Sequence, residues 1–136
     1  MAVQWSTTVR NALLDQWETT IGTSAVLRMY TGSAPSNCAA AATGSKIAEF
    51  SLASDWASTA SSGSKALSST PLSSTGLTPG GTLGYYRIYD SAGTTCHEQG
   101  TITATGGGGD MTVDNTSLST GQTINVTGFT KTAPGA

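Results

Sequence analysis

The chain has 136 residues, of which six are Lys or Arg and eight are Asp or Glu, so its net charge is −2. This length suits one domain with its own core, and the shortage of basic residues argues against a nucleic-acid-binding protein, because phosphate neutralisation supplies most of such affinity. No apolar run approaches the roughly 20 residues that span a bilayer, and the first residues lack the segments of a signal peptide. We therefore predict a single domain, made in the cytoplasm, that binds neither nucleic acid nor membrane.

Short uncharged side chains dominate the composition, and charged residues make up only 10% of the chain. Such side chains lose little rotamer entropy when they are immobilised, and soluble monomers usually carry a more charged surface. Two interpretations stay open. Either the surface packs into an assembly, or its low charge has no functional consequence.

The first predicted element is a helix from Ser6 to Ile21. Ser6 or Thr7 is a suitable N-cap, and Gly22 suits the left-handed position that follows a helix. Apolar residues at four-residue intervals predict one buried stripe, with the charged residues outside it. The stripe is Val9, Leu13, Trp17 and Ile21, and the charged residues are Arg10, Asp15 and Glu18. Trp5, just before the helix, either covers the sheet or is exposed for a partner.

The rest of the chain, about 25–130, is predicted to be a β body of short strands and turns. The clearest feature is a hairpin in which Tyr85–Tyr89 and Thr95–Thr103 flank a turn at Asp90–Gly93. The other predicted strands are residues 25–30, 46–52, 64–68, 110–113 and 123–127, with a bulge at Gly128. We predict a mainly β fold with one N-terminal amphipathic helix, of the β-sandwich or jelly-roll type.

Two segments between or after the strands are less regular. Residues 58–81 are rich in Ser, Thr and Gly, but recurring Leu residues favour a loop that is pinned to the body over a flexible linker. Residues 131–136 are small and polar, which is typical of a tail that is mobile or bound to a partner.

One pattern occurs twice in the chain. Leu27–Tyr30 followed by Cys38 is similar to Tyr86–Tyr89 followed by Cys96. We interpret the two segments as equivalent strands. If they are neighbours, Cys38 and Cys96 come within the ~4.4–6.8 Å Cα separation that a disulfide needs. Two buried or free thiols are the alternative, which a cytosolic product favours.

Patterns for catalysis or metal binding find little support. His97 is the single histidine, no Ser occupies a Gly-x-Ser-x-Gly elbow, and neither Cys-x-x-Cys nor His-x-x-x-His is present. Asp110 and Asp114 flank a predicted strand but lack the calcium-loop pattern. We therefore predict a protein that is not an enzyme, with no catalytic residue, no cofactor and no metal.

Several segments resemble a family of small proteins that tailed bacteriophages and prophages encode. They are residues 10–15, 19–23, 27–35, 86–97 and 106–111. The resemblance extends over most of the chain and implies a structural virion protein without catalytic residues. By analogy it implies a capsid cement, or decoration, protein on the capsid surface that binds and stabilises the shell of the major capsid protein. Such a protein is expected to be a homo-dimer or homo-trimer, because each capsid symmetry axis demands matching patches.

The predicted partner contacts lie in the segments outside the predicted core. They are Val3, Trp5, Leu72, Leu77, Lys131 and Pro134. Two other functions stay open. One is a neck, tail or fibre component of the virion. The other is a carbohydrate-binding accessory module, because three Trp and four Tyr could stack on sugars, although most of them fall on predicted core faces.

Overall fold

The computed structural model describes residues 2–68, 72–75 and 80–136, and for residues 72–75 it describes the backbone alone. In these residues one helix precedes nine strands, so the fold is mainly β, as predicted. The helix α1 is Thr7–Ile21. The strands are β1 (Val26–Thr31), β2 (Lys46–Ser51), β3 (Ser64–Ala66), β4 (Leu72–Thr75), β5 (Gly81–Tyr89), β6 (Cys96–Ala104), β7 (Met111–Val113), β8 (Ser117–Leu118) and β9 (Thr123–Thr132).

The helix α1 begins and ends where the sequence predicts. The hydroxyl of Ser6 accepts a hydrogen bond from the N–H of Val9 at 3.2 Å, which satisfies one of the amides that have no partner within the helix. After the last turn, the N–H of Gly22 donates to the carbonyl of Glu18 at 2.8 Å. Gly22 has a φ of 92°, a conformation that favours glycine. Local capping chemistry therefore sets both ends.

The strands form one curled sheet around an apolar core. Their order is β2-β1-β5-β6-β7-β9-β3, with β4 also paired to β9 and β8 paired to β5. Among the described strands, β6 and β7 pair in parallel and the other pairs are antiparallel. Because β2 and β4 contact each other although they are distant in this order, the sheet curls. Its fully buried side chains include Leu27, Met29, Ile47, Tyr86, Ile88, Met111, Val113, Ile124 and Val126.

The predicted hairpin is confirmed as β5 and β6. A carboxylate oxygen of Asp90 accepts from the N–H of Thr94 at 2.9 Å, and Gly93 takes a φ of 70° in the turn. The two strands that carry the repeated pattern are also direct neighbours. In their antiparallel register Arg28 of β1 lies opposite Arg87 of β5. The pattern therefore marks adjacent strands of the sheet.

The last strand is longer than predicted, because β9 has partners along both edges. β7 pairs with one edge, while β4 and then β3 pair along the other. Its register with β7 shifts between Val126 and Gly128, so that Thr127 is the extra residue of a bulge next to the predicted position. Residues 64–66 and 72–75 are thereby paired to the body, whereas residues 69–71 and 76–79 of the predicted pinned loop lie outside the described residues.

Candidate interaction surface

The face that α1 turns toward the body differs from the predicted stripe. Arg10, Leu14 and Ile21 are buried, and Trp17 is half-buried against the core. Val9 and Leu13, which the stripe placed in the core, are each 45% exposed. The prediction was therefore wrong for the first two turns of the helix and wrong for Arg10, which the stripe left outside.

Arg10 can be buried because a backbone carbonyl serves as its partner. Its guanidinium donates to the carbonyl oxygen of Ala133 through Nε at 3.2 Å and through Nη2 at 2.9 Å. Gly63 lies against the same guanidinium, so closely that a Cβ at Gly63 would collide with it. Hydrogen bonding offsets the cost of removing this charge from water. The contact also orients α1 on the body.

A second polar contact holds the middle of the helix. The ammonium of the buried Lys65, on β3, lies 2.8 Å from a carboxylate oxygen of Asp15 and 2.8 Å from one of Glu18. The hydrogen bond from Lys65 holds the pKa of the Asp15 carboxyl below its ordinary value. Both charged residues of the middle turns are thus directed to the body.

With these residues turned inward, the opposite side of α1 and the segment before it expose apolar side chains. Val3 is 73% exposed, Trp5 is 42% exposed, and Val9 and Leu13 lie one turn apart on the same face of the helix. We call Val3, Trp5, Val9 and Leu13 the N-terminal strip. Among the exposed residues of α1, Asp15 alone is charged, and Lys65 pairs with it. The strip is therefore apolar in surroundings with little charge.

Three of the predicted partner contacts lie at this end of the molecule. Val3 and Trp5 belong to the N-terminal strip, and the N–H of Trp5 donates to the carbonyl of Gly135 at 2.8 Å. The exposed Pro134 is therefore next to the start of the helix. The N–H of Ala133 also donates to the carbonyl of Gly63 at 2.9 Å, so this part of the predicted tail packs on the body. Its role in partner binding stays a prediction.

The other predicted contacts lie elsewhere. Leu72 pairs through its backbone with Val126 of β9, and Leu77 lies outside the described residues. Lys131, at the end of β9, is half-buried, and its ammonium lies 2.6 Å from a carboxylate oxygen of Glu98. Neither the backbone pairing of Leu72 nor the ion pair of Lys131 involves the N-terminal strip, and the contact roles of all three residues stay predictions.

The two cysteines are free thiols near each other. Both Cys38 and Cys96 are half-buried, and the Cys96 thiol donates to the carbonyl of Glu98 at 3.4 Å. Burial, together with the nearby Cys38 thiol, raises the pKa of Cys96 to about 12. Both thiols are free in this structure, so the predicted disulfide is not formed here.

Groups that could carry catalysis or bind a metal are dispersed. The described residues contain no cluster of three or more His, Cys, Asp or Glu side chains that could hold a metal ion. An open groove of about 350 Å³ at the end of α1 is lined by Glu18, Thr19, Gly22, Thr23, Ser54 and Asp55. Glu18 is already engaged there, because one of its oxygens accepts from the N–H of Ala57 and the other contacts Lys65. His97 is exposed on β6.

The predicted stripe assigned Val9 and Leu13 to the core, so it did not identify them as surface residues. A four-residue spacing advances by about 40° per step around an α-helix, so three steps carry the stripe about 120° away from its starting face. The set Arg10, Leu14, Trp17 and Ile21 follows the helical period more closely. The sequence contains this spacing, but predicting it would have required placing an arginine on the buried face.

Within the described residues, no helix is both long enough and apolar enough to cross a membrane. Comparisons of this chain with protein-family models, with curated proteins and with solved structures gave no match.

Proposed function

We propose that this chain is a structural component of a tailed-phage virion, and specifically a capsid decoration protein that docks on the major capsid protein through its N-terminal strip. The observation that carries this proposal is the exposure of Val3, Trp5, Val9 and Leu13 on a surface with little charge. Exposed apolar patches on neutral surfaces are typical of sites that become covered by a partner. The segments that resemble small phage proteins support the proposal that the assembly is a virion.

The way α1 is held supports docking without rearrangement. Arg10 bonds Ala133 and Lys65 bonds Asp15, so both turns that carry Val9 and Leu13 are fixed to the body. A preorganised surface loses less conformational entropy when it binds. Short Ser, Thr and Ala side chains around it add little to that cost.

The finer fold class and the oligomeric state belong to the same proposal. We place the curled sheet among the β-sandwich or jelly-roll folds, which are common in small proteins that coat phage capsids. A homo-dimer or homo-trimer on the capsid surface fits this role, because symmetric shells present matching patches around each axis. No reaction is assigned to the protein.

The copy number of the protein in purified virions tests its location. A phage that encodes this chain should carry on the order of hundreds of copies per particle, because a decoration protein repeats with the capsid lattice. Calibrated mass spectrometry of purified particles gives this number. About a dozen or fewer copies would instead assign the protein to the neck, tail or fibre, and its absence from the virion would overturn the proposal.

Binding to capsid shells that lack this protein tests the N-terminal strip. The double variant Val9→Thr/Leu13→Gln should lose at least about tenfold in affinity in a co-sedimentation assay, because two apolar contacts are removed. The matched control is Ala92→Gln/Ala104→Gln, which changes two exposed residues in the hairpin turn and at the end of β6. Equal binding by the two double variants would show that the strip is not the docking surface.

A carbohydrate-binding module is less well supported by the described residues. Sugar stacking needs exposed aromatic rings, and Trp5 is the one aromatic side chain that the described part of the chain exposes. A glycan array probed with the purified protein tests this alternative. A specific signal that Trp5→Ala abolishes would establish it in place of capsid docking.

A further inference from the structure

A loop of residues 32–45 crosses the outer face of β5 and β6, and Arg87 holds its centre. Arg87 is only 2% exposed, and its Nη2 donates to the carbonyls of Asn37 at 3.0 Å and Ala40 at 2.8 Å. These carbonyls lie on either side of Cys38 in the chain. Arg87 therefore determines where the backbone around Cys38 sits above the sheet.

Two further side chains hold the flanks of the same loop. The amide of Gln99 donates to the carbonyl of Pro35 at 2.6 Å. The hydroxyl of Tyr85 donates to the carbonyl of Thr43 at 2.6 Å and accepts from its N–H at 2.9 Å. The loop thus reaches the sheet through three side chains that follow its backbone from residue 35 to residue 43.

Cys96 lies on the same face of the sheet as these anchors. It pairs with Tyr89, which is two residues from Arg87 along β5 and so points to the same side. Its thiol donates to the carbonyl of Glu98 at 3.4 Å. Because Arg87 holds the carbonyls on either side of Cys38 above this same face, Cys38 and Cys96 lie close together, and Cys38 accordingly contributes to the raised pKa of Cys96. Because both cysteines are half-buried rather than fully enclosed, a small oxidant can reach them.

We propose that Cys38 and Cys96 form a redox-dependent cross-link site, at which a small-molecule disulfide such as oxidised glutathione converts the two thiols into a disulfide that fixes loop 32–45 to β6. The site is independent of the capsid role proposed above. It adds a covalent bond where three side chains already hold the loop.

The reaction balances as two thiol–disulfide exchanges. The thiolate of Cys38 attacks one sulfur of oxidised glutathione, which breaks the S–S bond and releases one glutathione thiolate. The thiolate of Cys96 then attacks the Cys38 sulfur of the mixed disulfide and releases the second glutathione. The two cysteine protons end on the two released thiols, so the protein is oxidised by two electrons and the glutathione disulfide is reduced.

Mass spectrometry of the purified protein tests this site. After treatment with oxidised glutathione at pH 8, the intact mass should fall by about 2 Da, and digestion should yield one peptide that joins Cys38 to Cys96. The melting temperature should rise by about 5–10 °C relative to the protein in reduced glutathione, because the cross-link restricts the unfolded chain. Renewed reduction should reverse both changes.

Two single variants provide the control. Cys38→Ser and Cys96→Ser each keep one thiol, so oxidised glutathione should leave at most one adduct and should not raise the melting temperature. The wild-type protein in reducing buffer gives the folded reference for both. If oxidised wild-type protein retains two thiols that iodoacetamide alkylates, or carries glutathione on both cysteines without the joined peptide, the cross-link site is refuted. That result would leave the capsid-binding assay unaffected.

Discussion

The indole Nε1 of Trp17 donates to a carboxylate oxygen of Glu98 at 2.6 Å and thereby ties α1 to β6. The other oxygen of Glu98 accepts from the hydroxyl of Tyr86 at 2.6 Å and lies 2.6 Å from the ammonium of Lys131. One carboxylate therefore joins the helix to three strands. The rings add to this contact, because Trp17 lies 5.1 Å from Trp56, centroid to centroid.

Replacing Trp17 separates the hydrogen bond from the ring packing. Trp17→Phe keeps an aromatic ring but loses the donor to Glu98, so we expect a loss of about 1–3 kcal/mol in the free energy of unfolding. Trp17→Ala also removes the contacts with Trp56 and should cost about 3–5 kcal/mol. Urea denaturation measures both values. Trp5→Phe is the matched control, because Trp5 is largely exposed, and it should change stability by less than about 0.5 kcal/mol.

Leu13 and Leu14 test which face of α1 is buried. Leu14 packs with Ala60 and Ala133, so Leu14→Ala should cost about 2–3 kcal/mol of unfolding free energy. Leu13 is exposed, and Leu13→Ala should stay within about 0.5 kcal/mol of the wild type. Thermal or urea unfolding of the two variants side by side gives the comparison. A larger loss for Leu13→Ala would contradict the orientation of the helix.

The carboxyl of Asp110 makes the free energy of unfolding depend on pH. One of its carboxylate oxygens accepts from the N–H of Thr101 at 2.9 Å and from its hydroxyl at 3.0 Å. The backbone hydrogen bond from Thr101 is the main reason that the pKa of Asp110 lies below its ordinary value. A carboxyl whose pKa is lowered in the folded state stabilises the protein at pH values above the carboxyl's unfolded-state pKa of about 4. This contribution is lost as the pH falls toward the folded-state pKa.

Asp110→Asn should therefore flatten the decline of stability on acidification. The amide can still accept from Thr101 but cannot titrate, so the variant should lose less stability than the wild type between about pH 5 and pH 2. Melting temperatures across this range measure the slope. Ser91→Ala, an exposed change without a titratable group, should keep the wild-type slope. If Asp110→Asn keeps it too, the carboxylate of Asp110 has no part in acid stability.

Features that depend on neighbouring residues could be predicted from the sequence. The cap at Ser6, the glycine after the helix and the Asp90–Gly93 turn each form through bonds across a few positions, so their residue types are sufficient to place them. The repeated pattern also marked two strands that pair directly.

Features that depend on distant partners could not be predicted. Arg10 is buried because a carbonyl 123 residues away accepts its hydrogen bonds, and no local pattern identifies that carbonyl. The exposed face of the helix follows from the same contact. Lys131 belongs to the segment predicted as a polar tail, yet its ammonium pairs with Glu98, and hydrophobic periodicity does not identify this partner. Long-range polar contacts thus determine which face of α1 is exposed and where the Lys131 side chain lies at the end of β9.

The hydrogen bond from Trp5 to Gly135 brings residues near the two ends of the sequence side by side. A peptide or fluorescent protein genetically fused after residue 136 would consequently emerge next to the N-terminal strip and would obstruct the docking that we propose for it. The turn at residues 90–93 joins two long strands, and its hydrogen bonds are made within the turn and with Arg28 rather than with the strip. An insertion at that turn is therefore the better way to label or display cargo on this protein.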